Sequence, residues 1–518
     1  MIRINPLMAT KLADDAFRHE EMKKARDSQV EKSRLRQLYS LVLCKSREVA
    51  QPMETLILEK TIIKLGTLLA LGFGEAGANI IGHNMSGDSG VVNAMIPGET
   101  VECVVGSARI RDFNTVTEVL HVKVMAFVNQ VAEIVHGAVD EFHGTANRNN
   151  GAAFMIIWPT FGLAASAVEK MADMSVMALI RIFGAVNQSC VLAQYRGHPG
   201  IQQRLGARNG SQPRVTLSFG LHYGWAIEGA VGTEFKIDAS YLSPNVNIAE
   251  TVERATETYG VVLLITESVL RICSEEIASK CRLLDNVIIQ GCVSSLRLYV
   301  IDLSWFFISL ESHRSDFVWS SRQRFRCRQW LEAEKVHRIG ENVHMAEIFE
   351  SSVEIQAMRV PYTLEFMQIF NMGYQNYHQG DWQVARRILR NTWTLLGFED
   401  GPSATLLRFM ETPFEFESPP GWRGIHHLES NGQLGPPVIE GGKTHVQIDR
   451  KSQAACEVES HLALGSSILK VNGTQRSKAD DATDLASQAR ESQAEIPVEE
   501  PANLHKRITN TSSAVLRV

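Results

Sequence analysis

The chain has 518 residues, a net charge of −6 and 44% hydrophobic residues, too long for one ordinary domain and apolar enough to bury a sizeable core. Its slight acidic balance and pI near 6.3 argue against a nucleic-acid binder, which carries a basic excess or patch. The eight cysteines form no C-x-x-C pair and no metal-ligand spacing, so they read as reduced thiols of a cytosolic protein; the amino terminus lacks the basic-then-apolar order of a secretory signal.

Residues 1–52 read as a charged helical segment. Lys, Arg and Glu dominate from Asp14 to Arg47 and apolar residues take helical spacing over Leu35–Leu43, but heptads are not sustained, which favours a solvated helix over a coiled coil. Residues 53–100 read as an apolar helix and a linker. The run G-F-G-E-A-G at 72–77 follows a helical pattern rather than a strand, so it lacks the strand-turn-helix context of a dinucleotide site. The uncharged run Gly151–Val168 has the length of a membrane span, yet Pro159, Thr160 and Gly162 interrupt it, which favours a buried strand followed by a helix start. An apolar helix pattern covers Ala164–Ala193, and 197–213, containing His198 and Arg208, reads as an exposed polar loop.

Further on, Tyr259–Thr266 reads as a core strand, Ser268–Ser279 as a helix, and the apolar runs from Val287 and from Leu296 to Asp302 as closing strands. Residues 306–359 read as a connecting segment. In 360–428, aromatic and small residues fall at helical-hairpin spacing and the turn D-G-P-S at 400–403 caps a further helix. The pattern resembles one tetratricopeptide-like hairpin, which cannot bury its face alone and is expected to pack on the preceding domain or on a partner. From 429 to 518, Gly, Ser, Gln and acidic residues without periodicity predict a disordered tail.

Four blocks within 101–305 carry the most information: GSARIRDFNTVTEVL at Gly106–Leu120, FHGTANRNNGAAFMIIW at Phe142–Trp158, LSFGLHYGWAIEGAVG at Leu217–Gly232, and YLSPNVNIAETVER at Tyr241–Arg254. In this order they resemble the class III adenylate/guanylate cyclase catalytic domain. That resemblance implies an α+β, ferredoxin-like domain with a central antiparallel sheet and flanking helices, here with a helical amino-terminal segment and a carboxy-terminal hairpin added.

The family's first block reads F-[AC]-D-I-R-x-F-T and its second contains K-x-x-G-D, the two Asp residues holding a pair of divalent metal ions that activate the ribose hydroxyl and neutralise the phosphates. Aligned on Ile110, Arg111 and Phe113, the first Asp is replaced by Arg109; the second falls on Ala152. Asp112 lies three residues from Arg109, on the opposite face of an extended strand, so reaching the metal position would need a bulge or a register shift. In the fourth block, G-x-x-V-N-x-A-x-R-L-E in the family, Asn247 matches the transition-state Asn while Thr251 replaces the Arg. Arg254, one turn later, reads as a solvated helix arginine.

The resemblance implies that Arg148 and Ser240 stand at the two purine-reading positions, with Asn247 as the surviving catalytic group and no metal ligand of the chain's own. A guanidinium offers only donors, which suits an adenine acceptor. It further implies a homodimer, or a heterodimer with an intact cyclase chain that supplies the ligands for Mg2+ or Mn2+, and a purine nucleoside triphosphate as ligand. A cytoplasmic location with at most indirect membrane association is expected. The functional expectation is a degenerate or half-site cyclase subunit in cyclic-nucleotide signalling; an active cyclase in a heterodimer, or an interaction scaffold on a cyclase fold, are the alternatives.

Overall fold

The computed structural model of the chain describes residues 57–66, 77, 96–209, 214–233, 236–310, 321–340 and 343–439. The expected helix at 1–52, most of the run 72–77 and the chain beyond 439 lie outside them. Residues 57–66 are helical with Ile57, Leu58, Ile62 and Leu65 exposed.

β1 (Glu99–Ile110) is the spine of the fold. Its side chains alternate between faces: Val101, Cys103 and Val105 join one cluster and Val104, Ala108 and Ile110 another, so the strand is buried on both sides. The chain continues as α1 (Phe113–Leu120), α2 (Val124–Glu141), β2 (Thr145–Asn150), β3 (Ala153–Pro159), α3 (Ala165–Gln188), α4 (Pro199–Asn209), β4 (Leu217–Thr233) and β5 (Lys236–Leu242). β1 lies antiparallel between β3 and β4, and the order β4-β1-β3-β2 is the ferredoxin-like arrangement. Phe113–Glu141 is apolar and long enough to cross a membrane by composition, but a turn at His121–Lys123 divides it, and Phe127, Val131 and Val135 enter the core. The run Gly151–Val168 contains β3 and the start of α3.

α5 (Pro244–Thr258) crosses the opposite face of the sheet. β6 (Leu263–Thr266) then pairs parallel to β4, followed by β7 (Arg282–Ile289) and β8 (Leu296–Val300), antiparallel to each other. The sheet is therefore mixed rather than wholly antiparallel. The expected helix at Ser268–Ser279 is reduced to two single turns, Glu267–Leu270 and Glu275–Ala278. The expected polar loop at 197–213 is instead largely the helix α4, from which Ile201 reaches the core.

Three further expectations are corrected. The connecting segment holds α6 (Ser321–Ile339), α7 (Met345–Ser351) and α8 (Val353–Arg359); Met345, Phe349, Ile355 and Met358 pack into the α2–α3 core. The hairpin α9 (Leu364–Gln379) and α10 (Trp382–Leu396) is joined by α11 (Gly401–Glu411), so the carboxy-terminal addition has three helices. The tail does not begin at 429: β9 (Trp422–Leu428) runs parallel to β7, and β10 (Leu434–Ile439) pairs with β9, giving a ten-stranded sheet.

Two polar knots tie this addition to the sheet. Arg282 on β7 donates to Asp302 at 2.9 and 2.5 Å and to Asp400, the N-cap of α11, at 3.2 and 3.1 Å. All three side chains are buried, and the guanidinium lies over the rings of Phe366 and Phe370. Burial opposes the charge on Arg282, but the two carboxylates overcome it and hold the guanidinium's pKa above its ordinary value. In the second knot Tyr259 donates to Asp285 at 2.7 Å, His426 lies 3.3 Å from the same carboxylate, and Tyr377 meets His426 at 3.2 Å. Removing one partner of a buried ion cluster strands the others, at a cost of about 3–5 kcal/mol. Arg282→Met is expected to lower the unfolding free energy of the chain by that amount in urea denaturation, and an unchanged midpoint would show that the knot does not hold the addition.

Candidate functional site

The helices on the α5 face of the sheet stop short of β2 and β3, and a cleft of about 690 Å³ opens there with Val105, Ser107, Ala153 and Met155 on its floor. Arg148, Ser240 and Asn247 all line it. Arg148 projects from edge strand β2 and donates to the Ser240 hydroxyl at 2.9 Å; Asn147 beside it holds the carbonyl of Ala239 at 3.3 Å. Asn247 is exposed on the first turns of α5, and its carbonyl accepts from the Thr251 hydroxyl at 2.9 Å. Thr251 is buried and lines neither this cleft nor its neighbour.

The end of β1 closes one corner. Arg109 Nε donates to Glu253 Oε2 at 2.7 Å, and the Ser218 hydroxyl donates to Glu253 Oε1 at 2.5 Å. Glu253 is 1% exposed and comes from α5, which lies so close to β4 that a Cβ on Gly220 would stand 2.5 Å from the Ala249 carbonyl and the Glu253 amide. Arg109 faces Ala153 across β1 and β3, and the Ala152 carbonyl accepts from the Ile110 amide at 2.9 Å. Both alanines therefore adjoin the end of β1, Ala153 on the face of Arg109 and Ala152 packed toward the opposite core.

Beyond this corner lies a second, larger cavity of about 1070 Å³. Arg109, Asp112 and the start of α1 form one wall, Trp305, Phe306, Tyr362 and Phe398 the other. Trp305 and Phe306 stack at 4.2 Å, and Arg214 lies 3.8 Å over Trp305. Asp112 caps α1 in the left-handed region, φ 52°, and belongs to this cavity, not to the smaller cleft. Arg111 turns inward to Thr256 at 3.0 Å and to the Val261 carbonyl; burial lowers its pKa, with Glu257, Glu253 and Asp112 acting against the shift. Arg254 borders both spaces, donating to the Ser430 carbonyl at 2.9 Å and to Glu250 at 3.4 Å. Sequence reasoning did not single out Glu253 or Ser218. The signal for Glu253 was present, since it occupies the final Glu of the N-x-A-x-R-L-E pattern.

A family profile described as the RasGEFs all-helical domain matches residues 1–86, most of which lie outside the described structure. The adenylate cyclase of Anabaena cylindrica is 25% identical over 195 residues, covering 37% of this chain and 35% of that protein. The terminal-differentiation specific adenylate cyclase of Dictyostelium discoideum is 26% identical over 196 residues, 37% of this chain and 8% of that protein. Over these stretches the chain is similar to adenylate cyclases. A bacterial light-regulated adenylyl cyclase of solved structure is 18% identical, with 57% of this chain and 72% of that chain covered and a TM-score of 0.35. The chain thus spans about a third of the Anabaena protein and far less of the Dictyostelium one.

The resemblance to class III cyclases implies a pair of divalent metals, and the residues here do not fit them. Hard cations take oxygen donors. The corner offers a guanidinium and two methyl groups, and its one carboxylate, Glu253, is engaged by Arg109 and Ser218. Among the described residues no group of three or more His, Cys, Asp or Glu is placed to hold a metal ion.

His222, from the cyclase-like G-L-H-Y-G run, anchors the other end of α5. Its Nδ1 meets Thr266 at 3.0 Å and its Nε2 meets Asn245 at 3.1 Å. Burial pushes its pKa down from 6.5 to about 4, with the Asn245 bond pulling the other way. The unfolded chain therefore binds a proton between these two values that the folded chain does not. Stability from this group is complete above pH 6.5 and falls as pH drops toward 4, with a limiting slope of about 1.4 kcal/mol per pH unit. Urea midpoints at pH 7 and pH 5 are expected to converge in His222→Gln relative to the parent; an identical pH dependence in the two would remove His222 as its source.

Proposed function

We propose that this chain is a catalytically degenerate class III cyclase subunit of cyclic-nucleotide signalling, a half-site that supplies purine and transition-state contacts while a partner chain supplies both metal carboxylates with Mg2+ or Mn2+. The observation that carries the reading is the convergence of Arg148, Ser240 and Asn247 on one cleft whose remaining corner holds an Arg–Glu pair instead of carboxylates. Arg148, held by Ser240, meets the purine edge. Asn247, exposed at the rim, donates to the developing charge on the phosphate. The nucleoside triphosphate lies between this cleft and the partner's, in a dimer with an intact cyclase chain or a second copy, and the complex works in the cytoplasm.

Two outcomes are expected. The purified chain alone produces no cyclic AMP or cyclic GMP with Mg2+ or Mn2+, and Arg109→Asp with Ala152→Asp, which puts carboxylates at the two positions the motif alignment assigns to them, yields measurable turnover; Arg109→Asp with Ala153→Asp serves as the control for register. Mixed with an intact cyclase chain, this chain gives activity that Asn247→Ala lowers by about 10²–10³-fold, the typical loss on removing one donor aimed at transition-state charge. Unaltered activity in that mutant, or no association with any cyclase chain, favours the scaffold reading.

A further inference from the structure

The corner where metals do not fit is built to hold an anion without them. Among the described residues Arg109 uses only Nε, on Glu253; a guanidinium carries five N–H groups, so the four on its terminal nitrogens are left for ligand, and the side chain lines the cleft as well as the larger cavity. Glu253 in turn is locked, one oxygen on Arg109 and the other on Ser218. A guanidinium fixed by a buried carboxylate loses little freedom on binding, and its planar fork matches two phosphate oxygens at once. Arg109 is not alone. Arg148 and Arg254 line the same cleft, against a single lining carboxylate, Glu250, which Arg254 already engages. With Glu253 counted against Arg109, the cleft sets three guanidiniums against two carboxylates, a net positive balance that suits an anion.

We propose that Arg109 replaces the divalent metal as the counter-charge for a phosphate chain, so that the cleft binds metal-free nucleoside polyphosphate. That the phosphates belong to a nucleotide rests on the half-site reading; that the corner of the chain on its own takes polyphosphate does not, and in the heterodimer the partner's metals take over the phosphates that Arg109 would otherwise hold. Magnesium then acts as a competitor: a metal-complexed phosphate chain brings its own positive charge toward a fixed guanidinium and has already committed the oxygens that the fork needs. Binding weakens as Mg2+ rises, the reverse of what carboxylate ligands at this corner would give.

The test uses the full chain and isothermal titration calorimetry with inorganic tripolyphosphate and with ATP, each in EDTA and then in excess Mg2+. Both ligands are expected to bind in EDTA and to weaken in Mg2+. Arg109→Gln lowers the affinity for both by roughly tenfold to a hundredfold, the range for a charge-assisted hydrogen bond, and Arg109→Lys, which keeps the charge without the fork, falls between. Arg148→Ala weakens ATP more than tripolyphosphate. Because Arg109→Gln strands the buried Glu253, the pair is also removed together in Arg109→Met/Glu253→Gln, expected to show a parent-like circular dichroism spectrum and no response to tripolyphosphate. Binding of ATP only with Mg2+, or binding of either ligand that survives loss of the pair, overturns the proposal while leaving the half-site intact. Absence of tripolyphosphate binding in EDTA overturns it too, and the half-site is then decided by the heterodimer assay alone.

Discussion

Helix α5 rests on β4 at backbone distance, and this approach fixes the site. Gly220 allows it, since any side chain there would collide with the Ala249 carbonyl and the Glu253 amide. The contact carries Glu253 under the end of β1, where Arg109 and Ser218 meet it. It also sets Asn247 at the cleft rim and Arg254 between the two cavities. His222, with partners on α5 and at the end of β6, pins the amino-terminal end of the same helix. Cleft geometry is thus a property of one helix–strand packing rather than of a mobile loop, which suits a site that must keep its polar groups aimed.

The carboxy-terminal addition reaches the domain through buried polar groups as much as through apolar area. Leu264, Leu284 and Val300 of the sheet meet Phe370, Tyr377 and Leu406 of the added helices, while Arg282 and Asp285 reach from β7 into it. Such knots are sensitive to registration, because each charge is tolerable in the interior only with its partners in place. The addition consequently has a defined seat. It also supplies Tyr362 and Phe398 to the wall of the larger cavity, bringing aromatic surface beside the start of α1.

Much of the central domain was legible because its strands alternate or run apolar and its glycines and polar turns punctuate them: β1, the β2–β3 pair, β4 and α5 lie where those patterns place them. Arg148, Ser240 and Asn247 were found by motif, and the sheet brings them together from β2, β5 and α5. What sequence could not display is pairing across distance. Arg109 and Glu253 are separated by 144 residues, and neither a lone Arg at a strand end nor a Glu on a helix announces its partner. β9 was missed for a related reason: its parallel match to β7 is non-local, and the glycines and prolines around β10 suggest a tail. α4 was hidden by its polar, Gly- and Gln-containing composition, with Ile201 as the one buried anchor among its described side chains.

The sequence of β10, Leu434–Ile439, has a consequence for how far the sheet extends. An outermost strand offers unpaired backbone groups to any passing chain, and prolines remove those donors. β10 carries Pro436 and Pro437 in succession, and its pairing with β9 is irregular around Pro437. Among the described residues this is the sheet's outer margin, and the two prolines disfavour strand addition there. The opposite margin, β2, is polar at every position but Ala146 and bears Arg148; its protection is hydration and charge rather than lost donors. The two borders of one sheet thus resist self-association by different means, leaving the side that carries the cleft open to a partner able to satisfy its polar groups.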